Sequence, residues 1–346
     1  MFKHRTPSLK VRKAMSVAAV GLGKDYTSSK GAGATKELVA KVSRMTGKAH
    51  VRPVSSGNGA IFAALFVAPG PVMLPDTGGW IAFRTHPKVL GLATHALETD
   101  AGYIDLDLLK KHLDMKNPKT LLYSASSGFL AENDGRHIAD LCRDKGVRTI
   151  EDITGVLGRK DAGRHADVVV CSTGPATVAN LLSGGFIAAD SEELLETAKF
   201  ALSLAAPDPV TIAGMVAALD EAPRIYQDLV ETADQLKSDL EGYSQLVHPR
   251  RRGIGVGLDL SEGVLSPEWV YKRSLELGLL TELRSPLMLK GPRYDRLDVP
   301  SVTIELKKVD IAYYEREALI GRLVEAVDAL LRPQASVAQL VRAADS

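Results

Sequence analysis

The chain has few of the features that mark secreted, membrane-spanning or nucleic-acid-binding proteins. Its 346 residues include only two cysteines, Cys142 and Cys171, which excludes a disulfide framework and favours a reducing compartment. No run approaches the roughly 18–20 apolar residues that a membrane-spanning helix needs. The formal net charge is +1, which provides no overall field to attract nucleic acid or a membrane surface. We therefore predict a cytoplasmic protein without a membrane segment.

The N-terminal region shares one feature with secretory signal peptides. Basic residues from Lys3 to Lys13 precede a mildly apolar stretch, Ala14–Gly23, in the order that signal peptides share. That stretch is weak and rich in Gly and Ala, so we favour the cytoplasm over export. The following Gly/Ser-rich segment, Thr27–Ala34, is interpreted as a flexible loop, and residues 34–47 as a helix.

Strand-like apolar runs alternate with helical patterns between residues 71 and 204. The strand-like runs are Pro71–Leu74, Ala93–Leu97, Leu121–Ser124, Arg148–Asp152, Ala166–Ser172 and Gly185–Ala188. The helical patterns are Asp105–Leu113, Arg136–Lys145, Ser191–Leu204 and a helix that begins at Pro87. Such alternation is typical of βαβ units, and it predicts an α/β fold of three layers around a mostly parallel sheet.

The pattern changes near residue 207 and suggests a second, smaller domain. A long helical region, Ala213–Leu240, is followed by two strand-like runs, Gly255–Leu260 and Ser301–Glu305, and by the helical patterns Pro267–Leu277 and Tyr313–Leu331. We predict an N-terminal arm over residues 1–33, a large domain over 34–206, a small α+β domain over 207–332 and a tail over 333–346.

The first motif with chemical content lies where a short extended segment meets a helix. Its sequence is Ser55-Ser56-Gly57-Asn58-Gly59. Small residues let the backbone approach an anion closely, and a helix start offers unpaired N–H groups and a positive dipole end. The motif fits a phosphate cradle, but by itself it favours a turn with a Ser or Asn helix cap, because Gly-rich turns between a strand and a helix are common.

Two further motifs follow predicted strands. Asp152 ends the run Arg148–Asp152, and ligands of open α/β sheets bind outside such strand ends; it could hold a ring nitrogen protonated or simply cap a turn. The other motif runs from Cys171 to Thr177 and returns through Gly184-Gly185 into the next strand.

Together the motifs resemble the large domain of fold-type I pyridoxal-phosphate (PLP) enzymes. The resemblance is closest to the sugar aminotransferase (DegT) family, weaker to selenocysteine-synthase-like proteins, and runs from about Ala34 to Leu204. The matching segments are Lys36-Glu37-Leu38 and Ser55–Ala60 for the family's E-L-E and S-S-G-T-A-A-L, Glu151–Gly155 for E-D-A-A-Q, and Ser172–Thr177 with Gly184-Gly185 for its lysine-bearing loop.

The resemblance implies a cofactor role for several residues. Ser56, Gly57 and Asn58 would form the phosphate site with the hydroxyl of Ser172, and Asp152 would pair with the pyridine nitrogen. Trp80 falls where such proteins place an aromatic residue that stacks on the cofactor ring, although an ordinary buried tryptophan is an equal alternative.

The chain departs from the family at the residue that matters most. Thr177 occupies the position of the Schiff-base lysine, and no lysine lies between Lys160 and Lys199. A threonine hydroxyl cannot form an imine, so both the covalent cofactor link and its usual proton-transferring base are absent from this segment. Gly155 replaces the family's glutamine. We therefore expect no primary amine in the pocket.

Other polar residues carry weaker signals. The cluster His248–Gly253 is interpreted as a solvated basic turn, although nucleic acid or another anion would suit it. One of the lysines near the N-terminal loop could serve as a surrogate amine, although solvated surface lysines are more common: Lys24, Lys30 and Lys36. Three arginines are candidates for binding a substrate carboxylate: Arg284, Arg293 and Arg296. Histidines lack metal-ligand spacing, so no metal site is predicted.

Three hypotheses remain open on this basis. The chain is an aminotransferase-like PLP-fold protein that holds PLP or its amine form, pyridoxamine phosphate, non-covalently. Alternatively it is a PLP-dependent transferase or lyase with a non-standard amine or base, acting on a small amine or keto substrate. The third is a non-catalytic regulatory or RNA-associated subunit. The resemblance also implies a homodimer.

Overall fold

A computed structural model describes residues 1–21, 29–263 and 265–331, with the side chains of all but residues 29–32. The helices are α1 (Leu9–Gly21), α2 (Ser29–Thr46), α3 (Gly57–Phe66), α4 (Ile81–Val89), α5 (Leu106–Lys116), α6 (Gly135–Asp144), α7 (Glu192–Thr197), α8 (Lys199–Leu204), α9 (Pro209–Asp239), α10 (Pro267–Glu276) and α11 (Arg316–Leu331). The strands are β1 (His50–Val54), β2 (Val72–Pro75), β3 (Thr94–Leu97), β4 (Thr120–Ser124), β5 (Ser126–Ser127), β6 (Ala131–Glu132), β7 (Arg148–Asp152), β8 (Val168–Ser172), β9 (Gly185–Ala189), β10 (Leu246–Val247), β11 (Val256–Asp259), β12 (Met288–Lys290) and β13 (Ser301–Ile304).

The larger sheet has seven strands in the order β1-β9-β8-β7-β4-β2-β3. Strands β3, β2, β4, β7 and β8 are mutually parallel, and β9 runs antiparallel to both of its neighbours, β8 and β1. Six of the seven strands therefore point the same way. The prediction of a mostly parallel sheet in an α/β fold is confirmed.

Helices cover both faces of this sheet because its strands are apolar on both sides. In β8, Val168 and Val170 pack into a core with α3, while Val169 between them packs into another core with α2 and α9. This alternation of neighbouring side chains is the period of two expected of a strand. The outcome is the predicted three-layer arrangement.

A smaller C-terminal domain contains an antiparallel sheet in the order β10-β11-β13-β12. Its residues share a core with α9, α10 and α11. The first residues of the chain lie against this domain, since Phe2 pairs with Thr281 and His4 pairs with Val309. The exact domain boundaries stay a prediction.

Three local predictions were wrong. Residues 29–34 belong to α2 and not to a loop, because alternating Gly and Ala are tolerated in a helix that packs on neighbours. Pro87 lies near the end of α4 and does not begin it; one lost backbone hydrogen bond is tolerated in a last turn. The helix over 191–204 is divided at Ala198 into α7 and α8.

Some predictions concern parts of the chain outside the described residues. Lys24 and the tail over 333–346 are among them, as is the side chain of Lys30. Within the described ranges, no helix is both long enough and apolar enough to cross a bilayer.

Candidate cofactor site

A cavity of about 500 Å³ opens at the carboxyl edge of the large sheet. It is lined by all the residues that the resemblance assigned to the cofactor and to the lysine position: Ser56, Gly57, Asn58, Trp80, Asp152, Ser172 and Thr177. The common direction of β1, β7 and β8 explains the convergence, because their carboxyl ends meet at one edge. The cavity has the size of small-molecule sites.

The start of α3 forms one end of the cavity. Ser56 is its N-cap, and the Ser56 hydroxyl accepts a hydrogen bond of 3.1 Å from the backbone N–H of Gly59. The N–H groups of Gly57 and Asn58 have no intrahelical acceptor and lie at the positive end of the helix dipole, and that of Gly57 faces the carbonyl of Gly184 in the bridge between Ser56 and Gly184. The helix cap is therefore present, and the phosphate site stays a prediction.

Gly57 packs directly on Ser172, the last residue of β8. A Cβ atom on Gly57 would lie 2.5 Å from the Cβ and 3.0 Å from the Oγ of Ser172. Only glycine fits between the helix and the strand end. The Ser172 hydroxyl accepts a hydrogen bond of 3.2 Å from the N–H of Gly174, which leaves its own proton free to be donated to an anion at the helix start.

Asp152 lies at the floor of the cavity with one oxygen engaged. Its Oδ1 accepts hydrogen bonds from the N–H (2.9 Å) and the hydroxyl (2.6 Å) of Thr154. None of the described residues donates to Oδ2. Burial raises the pKa of Asp152, and the two hydrogen bonds from Thr154 oppose that shift. A buried carboxylate with a free oxygen is suited to pair with a cationic N–H group.

Thr154 also connects the floor to the strand beside it. Its Oγ1 donates to Asp152 and accepts a hydrogen bond of 2.9 Å from the N–H of Ser172. The two predicted cofactor contacts are therefore held in one hydrogen-bonded unit across β7 and β8. Thr154 itself was not predicted as a site residue, although its position two residues after Asp152 is a common Asx-turn signal.

Trp80 is only partly buried. Its side chain is 40% exposed, lines the cavity and donates from Nε1 to Oδ1 of Asn58 at 2.7 Å. An ordinary core tryptophan is thereby excluded. The stacking role stays a prediction.

Thr177 lies on the loop between β8 and β9, at the cavity wall. Its hydroxyl donates to the carbonyl of Gly174 (2.8 Å) and accepts from the N–H of Asn180 (3.1 Å). The guanidinium group of Arg5 donates to the Thr177 carbonyl. These contacts fix the loop. The catalytic role of Thr177 stays a prediction, and its hydroxyl already has two partners.

The expectation that no primary amine reaches the pocket was wrong. Lys307 and Lys308 line the same cavity from the C-terminal domain, about 130 positions beyond Thr177 in the sequence. Lys36, the surrogate amine that can be located, is exposed on α2 and does not line the cavity. No local pattern in the sequence marks a residue that a separate domain brings to the cavity.

Lys307 belongs to a buried ionic cluster with Glu305 and Arg296. Arg296 binds Glu305 through two hydrogen bonds, Nε to Oε1 (2.7 Å) and Nη2 to Oε2 (3.0 Å), and Lys307 also donates to Oε2. Burial alone would raise the pKa of Glu305, but Arg296 and Lys307 hold that pKa well below its usual range. Burial lowers the pKa of Lys307 to about 7, with Glu305 opposing the shift and Arg296 adding to it.

The three arginines predicted to bind a carboxylate differ in burial and in their position relative to the cavity. Arg296 is buried and already paired with Glu305, while Arg293 lines the cavity and pairs with Asp295 at 3.0 Å. Arg284 is exposed and does not line the cavity. Of the three, Arg293 is the one with an accessible position at the site.

In the basic turn at residues 248–253, His248 is buried and residues 249–252 are exposed, as expected of a solvated turn. The guanidinium carbon of Arg251 lies 3.4 Å from the ring centroid of Tyr103. Among the described residues no group of three or more His, Cys, Asp or Glu side chains is arranged to hold a metal ion.

Comparisons with known proteins agree with the fold. The model of the MJ1341 family C-terminal domain matches residues 223–328, and no curated protein matches the chain. The structure is similar to Nostoc sp. alanine–glyoxylate aminotransferase (18% identity, TM-score 0.67, 96% of this chain and 94% of that one). It is similar to a Lys-to-Ala variant of S. paucimobilis serine palmitoyltransferase with bound PLP (14%, 0.71, 94% and 85%). It is also similar to a chain of the SepCysS–SepCysE N-terminal domain complex (14%, 0.70, 95% and 95%).

These similarities define the class of fold. The chain has the architecture of PLP-dependent fold-type I transferases, with a smaller C-terminal domain. The closer likeness to the sugar aminotransferase family stays a prediction.

Proposed function

We propose that the chain binds PLP, or its amine form pyridoxamine phosphate, non-covalently in the cavity at the carboxyl edge of the large sheet. One observation carries this proposal: a buried carboxylate with a free oxygen, Asp152, and a helix start at Gly57 and Asn58 line the same cavity. The two groups match the two ends of this cofactor, a ring nitrogen and a phosphate.

The phosphate would lie at the start of α3. Backbone N–H groups of Gly57 and Asn58 and the hydroxyl of Ser172 would donate to its oxygens, and the helix dipole favours its negative charge. Ser56 positions this end by capping the helix. The close contact between Gly57 and Ser172 supports the assignment, because a side chain at residue 57 would push the hydroxyl and the helix start apart.

The ring would lie between Asp152 and Trp80. A protonated pyridine nitrogen paired with Oδ2 would hold Asp152 in its ionised form against the effect of burial. The half-exposed indole of Trp80 offers an aromatic face, a contribution of about 0.5–1.5 kcal/mol in favourable geometry.

When bound, the cofactor supplies an electron sink for charge that develops on a substrate. The chain itself must move the protons. The hydroxyl of Thr177 is weakly acidic and has two partners in its own loop, so it is a poor base. Lys307 and Lys308 on the opposite wall favour the second candidate function, a PLP-dependent transferase or lyase that uses a non-standard amine and acts on a small amine or keto compound.

Homodimer formation and a cytoplasmic location belong to the same proposal. Regulatory or RNA-associated roles stay a third prediction. A dialysed protein that remains colourless with PLP but co-purifies with RNA would favour that third role over the first two.

Cofactor binding is testable by equilibrium dialysis combined with the visible absorption spectrum. The native chain should retain PLP and show an absorption band that disappears on denaturation. Asp152→Asn should weaken binding at least tenfold, because a hydrogen bond to a charged group contributes about 1.5–3 kcal/mol. Asp144→Asn, which changes an exposed carboxylate at the end of α6, is the control and should bind normally. Equal binding by all three proteins, or by none, would overturn the proposal.

A further inference from the structure

Lys307 lies on the cavity wall opposite the sheet edge. It is part of a short 3-10 turn, Leu306–Lys308, that follows β13, and its side chain is almost completely buried from solvent. Its Nζ is 3.9 Å from the ring centroid of Phe129, which lines the same cavity. Lys307 therefore lines a ligand-sized cavity, while its side chain is enclosed almost completely by protein.

Phe129 places this amine near the floor. Gly155 follows Thr154, whose hydroxyl binds Asp152, and a Cβ atom on Gly155 would lie 3.1 Å from Cδ1 of Phe129. The ring of Phe129 therefore contacts the floor on one side and Lys307 on another. The glycine that replaces the family's glutamine at residue 155 is what leaves room for this ring.

The charges of the cluster favour an uncharged Lys307. Glu305 is one carboxylate between two cations, and Arg296 already engages both of its oxygens. Asp295 also pairs with Arg296, at 3.1 Å, but Arg293 engages both oxygens of Asp295. With Lys307 neutral these five groups sum to zero; with Lys307 protonated they carry one excess positive charge around a mostly buried site, which is unfavourable. The lowered pKa of Lys307, about 7 because of burial, agrees with this count.

Two other lysines, Lys237 and Lys308, each share only one of the features of Lys307: Lys237 is buried, and Lys308 lines the cavity. Lys237 is also buried, with a pKa lowered by burial to about 8, but its Nζ donates to the carbonyls of Leu130 and Arg251 and it does not line the cavity. Lys308 lines the cavity but is only partly buried, and its Nζ donates to the carbonyl of Pro286 at 2.7 Å. Lys307 alone of these three combines an uncompensated charge with a place on the cavity.

We propose that Lys307 is a carbonyl-reactive amine of this cavity. Its lone pair attacks the carbonyl carbon of an aldehyde, a carbon–nitrogen double bond forms, and the carbonyl oxygen leaves as water with the two hydrogens of the neutral amine. No oxidant or reductant takes part. Desolvated lysines act as nucleophiles of this kind because their neutral form is populated near neutral pH. The inference rests on the proposed function for one point, the identity of the aldehyde as PLP.

Reductive trapping tests the inference directly. The native chain is incubated with PLP near pH 8, reduced with borohydride, digested and mapped by mass spectrometry. We expect the label mainly on Lys307, loss of most label in Lys307→Met, and retention in Lys308→Met. Lys237 serves as an internal control and should stay unlabelled. Label that is unchanged in Lys307→Met, or spread evenly over surface lysines, would overturn the inference.

Two further readouts separate this inference from the proposed function. If PLP is retained on dialysis but borohydride fixes none of it on Lys307, the inference fails and non-covalent binding stands. If PLP does not bind, competitive acetylation of the ligand-free protein still measures Lys307: reactivity with a midpoint near pH 7 supports it, and a midpoint near pH 10, as for ordinary lysines, overturns it. Both mapping experiments use the native chain, so they do not depend on the folding of a variant.

Discussion

Gly57 and Ser172 are in contact so close that no side chain fits at residue 57, since a Cβ there would be 2.5 Å from the Cβ of Ser172. The start of α3 and the end of β8 are thereby brought together at the cavity. Because Ser172 is tied to Asp152 through Thr154, one backbone contact links both ends of the candidate site.

Gly57→Ala should damage stability and PLP binding together. Forcing a methyl group into this contact is expected to cost about 1–3 kcal/mol, and the displaced helix start should lose most of its affinity for phosphate. Denaturant unfolding and dialysis measure the two effects. Gly321→Ala, in an exposed part of α11 where nothing lies within 4 Å, should instead be neutral or slightly stabilising.

A second change checks that the contact itself is responsible. Ser172→Gly in the Gly57→Ala background removes the 2.5 Å clash but leaves the Cα of residue 172 at 3.1 Å. Part of the lost stability should return, whereas the contribution of the Ser172 hydroxyl to phosphate binding should not. If Gly57→Ala is as stable as the native chain, the close packing described here is wrong.

Glu151 makes stability depend on pH. Burial raises the pKa of Glu151 to about 7, and its Oε1 has no hydrogen-bond partner among the described residues. The folded state holds this proton more tightly than the unfolded state, so the stabilisation is fully present below pH 4.5 and is lost as pH rises through 7. The loss amounts to about 3 kcal/mol for a shift of this size.

Glu151→Gln removes that titration. As the pH rises from 4.5 to 7.5, the free energy of unfolding of the variant should increase relative to that of the native chain. Outside this pH range the difference between the two proteins should stay constant. Urea unfolding at a series of pH values measures the difference. Asp144→Asn is the matched control, and parallel curves for the native chain and Glu151→Gln would show that folding does not shift the pKa of Glu151.

The parts of the site that follow strands were predictable from sequence for a physical reason. Asp152 and Ser172 end buried parallel strands, and Gly57 begins the helix after another. Each signal is local, and the parallel sheet necessarily brings such strand ends to one edge. The predicted parallel sheet was therefore enough to place these three residues in one site.

The opposite wall of the cavity was not predictable in this way. Lys307 approaches from a second domain, and its sequence neighbourhood resembles any short turn between a strand and a helix. Its lowered pKa depends on Arg296 and Glu305 sharing one buried cluster with it, and nothing in the spacing of residues 296, 305 and 307 reveals that packing. The angle between domains and the fit of Phe129 against Gly155 are tertiary features.

Glu305 and Lys307 should respond very differently to removal. Glu305→Gln removes the carboxylate that binds Arg296 twice and leaves this buried guanidinium paired with Asp295 alone, which is expected to destabilise the chain by about 3–5 kcal/mol. Lys307→Met should be nearly neutral, because the pair of Arg296 and Glu305 remains balanced.

The double variant tests whether charge is the cause. Adding Lys307→Met to Glu305→Gln should restore part of the lost stability in a double-mutant cycle measured by denaturant unfolding. Additive effects of the two changes would mean that the cluster does not share one charge balance. A strongly destabilised Lys307→Met would mean that Lys307 is held as an ammonium ion.

Thr177→Lys tests whether a side chain at residue 177, in the loop between β8 and β9, can reach the cofactor site. The substitution removes the hydroxyl that accepts from the N–H of Asn180, so stability should fall by about 1–3 kcal/mol. A lysine at this wall should nevertheless reach a PLP molecule held by Asp152 and the start of α3. Placed in the Lys307→Met background, the variant should give a borohydride-stable adduct that maps to residue 177 by mass spectrometry. Thr177→Met in the same background is the control, with a similar loss of stability and no adduct. A folded Thr177→Lys protein that binds PLP but forms no adduct would mean that residue 177 is turned away from the cofactor, and Thr177 would then be a structural residue of the loop alone.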